Sequence, residues 1–174
     1  HFWNRTVLNA VGLSNFGAAT HFETRLWQWR TEPFFISFMA NGPTHGERLR
    51  EIYRFVRLCE KHLPDFKVPV GMQLNISCNN IRRRKESVRQ EIADTIELLD
   101  VFASLQIPIV PKFDITFPPD GVRRIADHSA CDAVCISNAI AFGSFPEDID
   151  WKRYEIERLY DRDCFDVWHM LYGC

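Results

Sequence analysis

The chain has no long apolar run, no marked excess of charge of either sign and no signal-peptide layout in residues 1 to 20. No uninterrupted apolar stretch approaches the roughly 18 residues of a membrane-spanning helix. The 21 basic and 23 acidic residues give a net charge of −2, so electrostatics offers no reason to expect nucleic acid or an anionic membrane as a partner. We therefore expect a soluble, cytoplasmic protein.

The cysteines and histidines do not fall at the spacings of a metal site. No C-x-x-C pair occurs among the six cysteines, and their intervals are irregular, which argues against structural zinc and against a disulfide framework. Cys59 lies in a helical pattern and Cys135 in a strand pattern, where a thiol serves as a small apolar side chain. His21, His45 and His128 stand singly and are interpreted as surface or capping residues. We predict reduced thiols and no metal site.

Strand-like apolar runs alternate with helix-like amphipathic runs along the 174 residues. The strand-like runs are residues 7–13, 34–40, 68–74, 107–113 and 133–137. Thr44 and Glu47 have the spacing of a capping box that opens a helix, while Ser87 and Gln90 can cap a second helix that ends near residue 106. A short helix is expected over 122–128. This alternation predicts an α/β protein with a parallel sheet and right-handed connections.

Polar side chains lie within these strand-like runs or directly after them, where an apolar strand does not need them. They are Asn9, Asn75, Cys78, Lys112 and Asn138. In a closed (β/α) barrel, side chains from the carboxyl ends of several strands converge on one mouth, which is where that fold places its chemistry. An open doubly wound sheet would instead have G-x-G-x-x-G after its first strand, and Gly12 with Gly17 is a poor match to that pattern. The predicted fold is therefore of the (β/α)8 TIM-barrel type.

Four short motifs at these positions carry a family resemblance. They are residues 9–15 (NAVGLSN), 75–80 (NISCNN), 110–112 (VPK) and 137–139 (SNA). In this order and spacing they resemble the dihydroorotate dehydrogenase family of FMN-containing barrels, over roughly residues 4 to 153. The central family motif in members that use cysteine is Asn-x-Ser-Cys-Pro-Asn, and here Asn79 replaces the proline. The resemblance implies an FMN-dependent oxidoreductase that acts on a CH–CH bond and converts dihydroorotate to orotate in pyrimidine biosynthesis.

The resemblance also implies roles for individual residues. Cys78 matches the base that removes a proton from the substrate, and Lys112 matches the lysine beside the flavin N1 and O2, where a positive charge stabilises the anionic reduced flavin. Ala139 stands where the family usually has a hydroxyl residue. The implied substrate contacts are Asn9, Gly12, Leu13, Asn75, Asn80, Asn138 and Ala139. The implied FMN contacts are Asn9, Asn75, Lys112, Ile136 and Asn138.

Each of these residues also has an ordinary interpretation when it is considered alone. Cys78 would more often be an inert buried thiol, and Lys112 would be a strand-end lysine whose ammonium reaches water. The asparagines would be turn formers. The basic run 82–85 (RRRK) is best interpreted as a solvated loop. Their joint position at the ends of successive strands favours the site interpretation.

Length and the end of the chain set the remaining expectations. A barrel of this class has eight strands and about 250 residues, so five strand-like runs predict an incomplete barrel over 1–153 and a divergent, helical tail over 154–174. An open sheet edge could pair with a second copy of the chain. Two alternatives stay open: a non-catalytic remnant that binds no flavin, and a related flavoenzyme for another dihydropyrimidine such as dihydrouracil. The acceptor that reoxidises the flavin is also open among fumarate, a quinone and a nicotinamide.

Overall fold

The computed structural model describes residues 8–9, 15–76, 87–141, 144–150 and 172–173. These residues form a four-stranded parallel sheet covered by helices and a small three-stranded antiparallel sheet. The elements in chain order are β1 Leu8–Asn9, α1 Ala18–Glu23, β2 Phe34–Phe38, α2 His45–His62, β3 Val70–Asn75, α3 Val88–Phe102, β4 Ile109–Asp114, α4 Pro119–Ala126, β5 Cys135–Asn138, β6 Ile140–Ala141 and β7 Tyr172–Gly173.

Both long helices begin at the caps that the sequence predicts. At the start of α2, the Glu47 backbone N–H donates to Thr44 Oγ1 at 3.3 Å and the Thr44 backbone N–H donates to Glu47 Oε2 at 3.1 Å. At the start of α3, the Gln90 backbone N–H donates to Ser87 Oγ at 3.2 Å. These bonds satisfy amide donors that have no partner inside the helix. The predicted starts of both helices are confirmed.

The two shorter helices differ from the prediction. Helix α4 begins at Pro119, three residues before the expected start. The backbone N–H of the first helical residue has no partner inside the helix, so proline, which lacks an N–H, is favoured at this position. Helix α1 was not predicted, and it follows Gly17, whose φ of 84° is open to glycine without strain.

The parallel sheet follows the chain without a reversal, in the order β2-β3-β4-β5. Helix α2 contacts α3, and α3 contacts α4, so the crossover helices form one layer on one face of the sheet. This confirms the predicted α/β class and the parallel sheet. Closure into a barrel stays a prediction, as does association of two copies through an outer strand, which in the described sheet is β2 or β5.

The core lies between the sheet and this helix layer. Alternate residues of the strands point into it, including Ile36, Leu74 and Phe113, all of which are buried. On the helix side, the ring of Phe55 stacks on Phe38 at a centroid distance of 4.2 Å, and Phe102 lies beside both rings. Each large apolar side chain buried here contributes about 1.5–3 kcal/mol, so the sheet is anchored through this one face.

The first strand-like run joins a different sheet from the one expected. Leu8–Asn9 pairs antiparallel with Tyr172–Gly173, which also pairs antiparallel with Ile140–Ala141. In the part of the chain that the structure describes, the predicted five parallel strands are therefore corrected to four. An apolar run of seven residues shows that a strand is favourable, but its pattern does not encode the partner strand. Within the tail of 154–174, for which we predict a helix, Tyr172–Gly173 is a strand, and residues 154–171 and 174 lie outside the described residues.

None of the helices among the described residues has both the length and the apolar character needed to span a membrane.

Candidate functional site

The polar residues predicted for the site lie at or near the carboxyl ends of neighbouring strands of the parallel sheet. Asn75 is the last residue of β3 and lies in register with Lys112 of β4, which in turn lies in register with Cys135 of β5. The Ile76 backbone N–H donates to the Lys112 carbonyl at 3.1 Å, which extends the pairing one residue beyond β3. Because the strands are parallel, their carboxyl ends lie at the same edge of the sheet. Asn75 and Lys112 are therefore held side by side.

Asn138 reaches the same place from the end of β5. Its Nδ2 donates to Asn75 Oδ1 at 2.7 Å, although β4 lies between the two strands. Strands two positions apart are separated by about 9.6 Å in a flat sheet, so the contact requires a curved sheet whose concave face carries both side chains. The Ala139 backbone N–H donates to Asn138 Oδ1 at 3.2 Å. These two bonds assign the amide nitrogen and oxygen of Asn138.

A β-bulge sets the direction of the Asn138 side chain. Phe113 pairs with Ile136, but the next residue, Asp114, pairs with Asn138, so β5 contributes one extra residue at this step. A bulge of this kind bends a strand and redirects the side chains that follow. The Asp114 carboxylate accepts hydrogen bonds from the backbone N–H and the hydroxyl of Thr116, which fix the turn after β4.

Lys112 is half-buried and carries the positive charge of the site. Among the described residues, no carboxylate forms an ion pair with it. Asn75 uses its Oδ1 as an acceptor, and its Nδ2 has no hydrogen-bond partner in the same described segments. Two donors, one of them charged, are therefore available next to each other at the end of β3 and β4. Such a pair suits an anionic or carbonyl-rich ligand edge.

The described residues include only part of the predicted site. Asn75, Lys112 and Asn138 are brought together, with Ile136 half-exposed on β5 and Ala139 directly after that strand. Gly12, Leu13, Cys78 and Asn80 lie outside the described residues. So does the side chain of Asn9, although its backbone is part of β1. The catalytic assignment of Cys78 thus stays a prediction.

No model of a known protein family matches this chain, and no curated protein matches it. The function has to be inferred from the residues and their geometry.

The face of the sheet opposite the helices carries further groups that the sequence patterns did not single out. Ser37 Oγ donates to Gln73 Oε1 at 3.2 Å. Two residue pairs earlier, on the same face, the ring of Phe35 covers Gly71. The ring is 53% exposed, and a Cβ on Gly71 would lie 2.3 Å from its Cε1. The strand reads Phe-Phe-Ile-Ser-Phe, and Ser37, its one polar residue, is the signal that could have marked this face.

The described thiols with shifted pKa values are not activated. Burial raises the pKa of Cys59 to about 12, with a smaller contribution from Glu60. Burial, followed by the charge of Asp132, also raises the pKa of Cys131, against a weaker opposing effect of a hydrogen bond with the Ala133 backbone. A raised thiol pKa lowers the thiolate fraction and hence the reactivity. The prediction that Cys59 is a buried apolar residue of a helix is confirmed.

Proposed function

We propose that this chain is an FMN-dependent oxidoreductase of the dihydroorotate dehydrogenase type, or the part of one that carries its strand-end site. The observation that carries the proposal is the juxtaposition of Asn75, Lys112 and Asn138 at one edge of the parallel sheet, joined by the 2.7 Å hydrogen bond between the two asparagines. These are three of the residues that the resemblance assigns to flavin or substrate, and they come from three different strands.

The donor pair fits the part of a flavin that becomes negative on reduction. Lys112 is half-buried, and its positive charge has no carboxylate partner in the described part of the chain. Asn75 offers an amide N–H beside it. A fixed positive charge and an N–H donor favour an anion where solvent is partly excluded. When bound, FMN supplies a two-electron acceptor for hydride. Lys112 would hold this part of the flavin and would stabilise its negative charge in the reduced form.

The carboxamides fit a pyrimidine ring edge. A carboxamide can donate and accept at once, and a dihydropyrimidine alternates C=O with N–H along its edge. The Asn138 amide is oriented by its bonds to Asn75 and to the Ala139 backbone, so the pair would meet a substrate without first having to order itself. Ala139 has no hydroxyl to offer a carboxylate, which is why dihydrouracil stays beside dihydroorotate as a candidate substrate.

Oxidation of the substrate needs a base as well as a hydride acceptor. The base takes the proton from the carbon next to the amide carbonyl, while hydride leaves the adjacent carbon, so that a C=C bond forms. Cys78, three residues after Asn75, is the proposed base. Proton transfer to a positioned base is worth about 10²- to 10⁴-fold in rate, so Cys78→Ser should retain FMN binding and lose turnover by about that factor.

The decisive experiment is a titration of the purified chain with FMN, followed by absorbance and by quenching of flavin fluorescence. Binding is expected, and anaerobic addition of dihydroorotate or dihydrouracil should bleach the flavin, with the faster substrate identifying the reaction. Lys112→Met should weaken FMN binding by at least about tenfold, because a charge-assisted contact is lost. Lys61→Met, which removes the same charge from the exposed side of α2, is the matched control.

Two results would count against this function. If the flavin spectrum does not change even at high FMN concentration, the chain is the non-catalytic remnant considered above. If Lys61→Met and Lys112→Met weaken binding equally, FMN is attracted by net charge rather than held at the strand ends.

A further inference from the structure

We propose that His45, Asp94 and Glu97 form a site for a divalent zinc ion between α2 and α3. His45 is the first residue of α2, and the two acidic residues lie one turn apart on α3. One ring nitrogen of His45 is 3.5 Å from Asp94 Oδ1 and the other is 3.3 Å from Glu97 Oε2. One ligand atom from each of the three residues lies within 4.8 Å of the other two. This site is separate from the strand-end residues.

The charge pattern of this cluster calls for a cation. Both nitrogens of His45 lie within 3.5 Å of carboxylate oxygens. The charge of Asp94 is already balanced by Arg48 at 3.0 Å, whereas Glu97 has no Lys or Arg partner among the described residues. A divalent cation bound beside His45 would offset the charge of Glu97 and would gain a nitrogen ligand.

The spacing suits zinc. Zinc binds histidine nitrogen at about 2.0–2.1 Å and carboxylate oxygen at about 2.0–2.2 Å, which in a tetrahedron places ligand atoms about 3.4 Å apart. The 3.3 Å and 3.5 Å contacts are already at this separation. One zinc ion can bind only one of the two ring nitrogens of His45. The carboxylate beside the other nitrogen must therefore move closer to the ion through a side-chain rotation. His45 and Glu97 are partly exposed and can make that rotation. One position would remain for water.

The outer contacts hold the ligands in place. Asp94 Oδ2 accepts from Arg48, which is 7% exposed, at 3.0 Å, and Asp94 Oδ1 accepts from Gln90 Nε2 at 2.7 Å. Ligating carboxylates in metal sites are generally oriented by such second contacts. The capping box at Thr44 fixes the residue before His45. The half-exposed His45 ring leaves an entry path from solvent. The sequence predicts no metal site because His45 lies on a different helix from the two acidic residues, 49 residues before Asp94.

The test is a titration of the metal-stripped chain with Zn²⁺ by calorimetry, and with Co²⁺ by visible absorption, which reports tetrahedral coordination. Tight binding of one ion is expected. His45→Ala and Glu97→Gln should each weaken it by about 100-fold or more, because even loss of an outer contact costs about 10- to 100-fold. Asp100→Asn removes the same charge from an exposed position of α3 and should leave the affinity unchanged. Circular dichroism checks that each variant folds.

The comparison among variants also separates the proposed site from the thiols. All variants retain the six cysteines, so metal bound by thiolates would be unaffected by His45→Ala and would show sulfur charge-transfer absorption with Co²⁺. That result would overturn the proposal. So would the absence of Zn²⁺ binding to the folded, metal-stripped chain.

Discussion

Asn138 and Asn75 are hydrogen-bonded at 2.7 Å across an intervening strand. The bond couples the ends of β3 and β5. The loss of stability in the double mutant should therefore differ from the sum of the losses in the two single mutants. We expect a coupling of about 0.5–1.5 kcal/mol in a double-mutant cycle of Asn75→Ala and Asn138→Ala, the usual net contribution of such a bond. Urea unfolding of the four proteins measures it.

The same cycle made with a distant residue provides the control. Ser104, exposed after α3, donates only to the Val101 carbonyl in the described part of the chain, so Ser104→Ala and Asn75→Ala should be additive. Additivity in both cycles would mean that the asparagine contact does not persist in solution.

The local part of the fold was predictable because its signals are local. Thr44 with Glu47 and Ser87 with Gln90 specify helix starts within four residues, and the structure has the corresponding bonds. The four parallel strands were predicted from apolar runs, and because parallel strands end at one edge of the sheet, Asn75, Lys112 and Asn138 could be grouped from sequence.

The rest depends on contacts between distant segments. Residues 7–13 read as a strand, but nothing in the run shows that Leu8–Asn9 would pair with Tyr172–Gly173. His45 has no acidic partner at ligand spacing on its own helix. Its approach to Asp94 depends on how α2 packs on α3. The concave face that joins Asn75 to Asn138 arises from sheet curvature and a bulge, which residue types alone do not specify.

Replacing either of two glycines near the start of α2 with alanine should change the stability of the fold, in opposite directions for the two positions. A Cβ on Gly42 would lie 2.8 Å from the Arg48 backbone nitrogen and 2.9 Å from the Glu47 carbonyl carbon, neither of which can rotate away. Gly42→Ala should therefore destabilise the fold by about 1–3 kcal/mol. Gly46, inside the helix, has nothing nearer than Arg50 Nη1 at 4.0 Å, so Gly46→Ala should stabilise it by about 0.5–1 kcal/mol. Thermal unfolding compares the two; equal signs would contradict this packing.

The close approach of Phe35 to Gly71 gives a conditional prediction. A Cβ on Gly71 would overlap the Phe35 ring at 2.3 Å, but that ring is half-exposed and can turn outward. Gly71→Ala should cost about 1 kcal/mol in the wild-type background because the ring is displaced. In a Phe35→Ala background the same change should stabilise by about 0.5 kcal/mol or more, since glycine is unfavourable within a strand. Chemical denaturation of both pairs tests the reversal, and a constant effect would exclude the contact.

The Cys59 thiol should make stability fall at alkaline pH. Its side chain is 0% exposed, and burial, aided by the charge of Glu60, raises its pKa from 9.0 to about 12. Below pH 9 both the folded and the unfolded chain hold the proton, so the thiol adds no pH dependence there.

Between about pH 9 and 12 the folded chain keeps this proton and the unfolded chain releases it, so the free energy of unfolding decreases by at most about 1.4 kcal/mol per pH unit. Cys59→Ala removes the pH dependence that comes from this thiol, and at every pH it also removes some stabilisation from packing. The wild type should therefore be the more stable protein at pH 7, and its advantage should shrink by about 1 kcal/mol from pH 9 to 10 in urea unfolding. All other titrating groups are shared, so parallel pH profiles for the two proteins would show that Cys59 ionises normally in the folded chain.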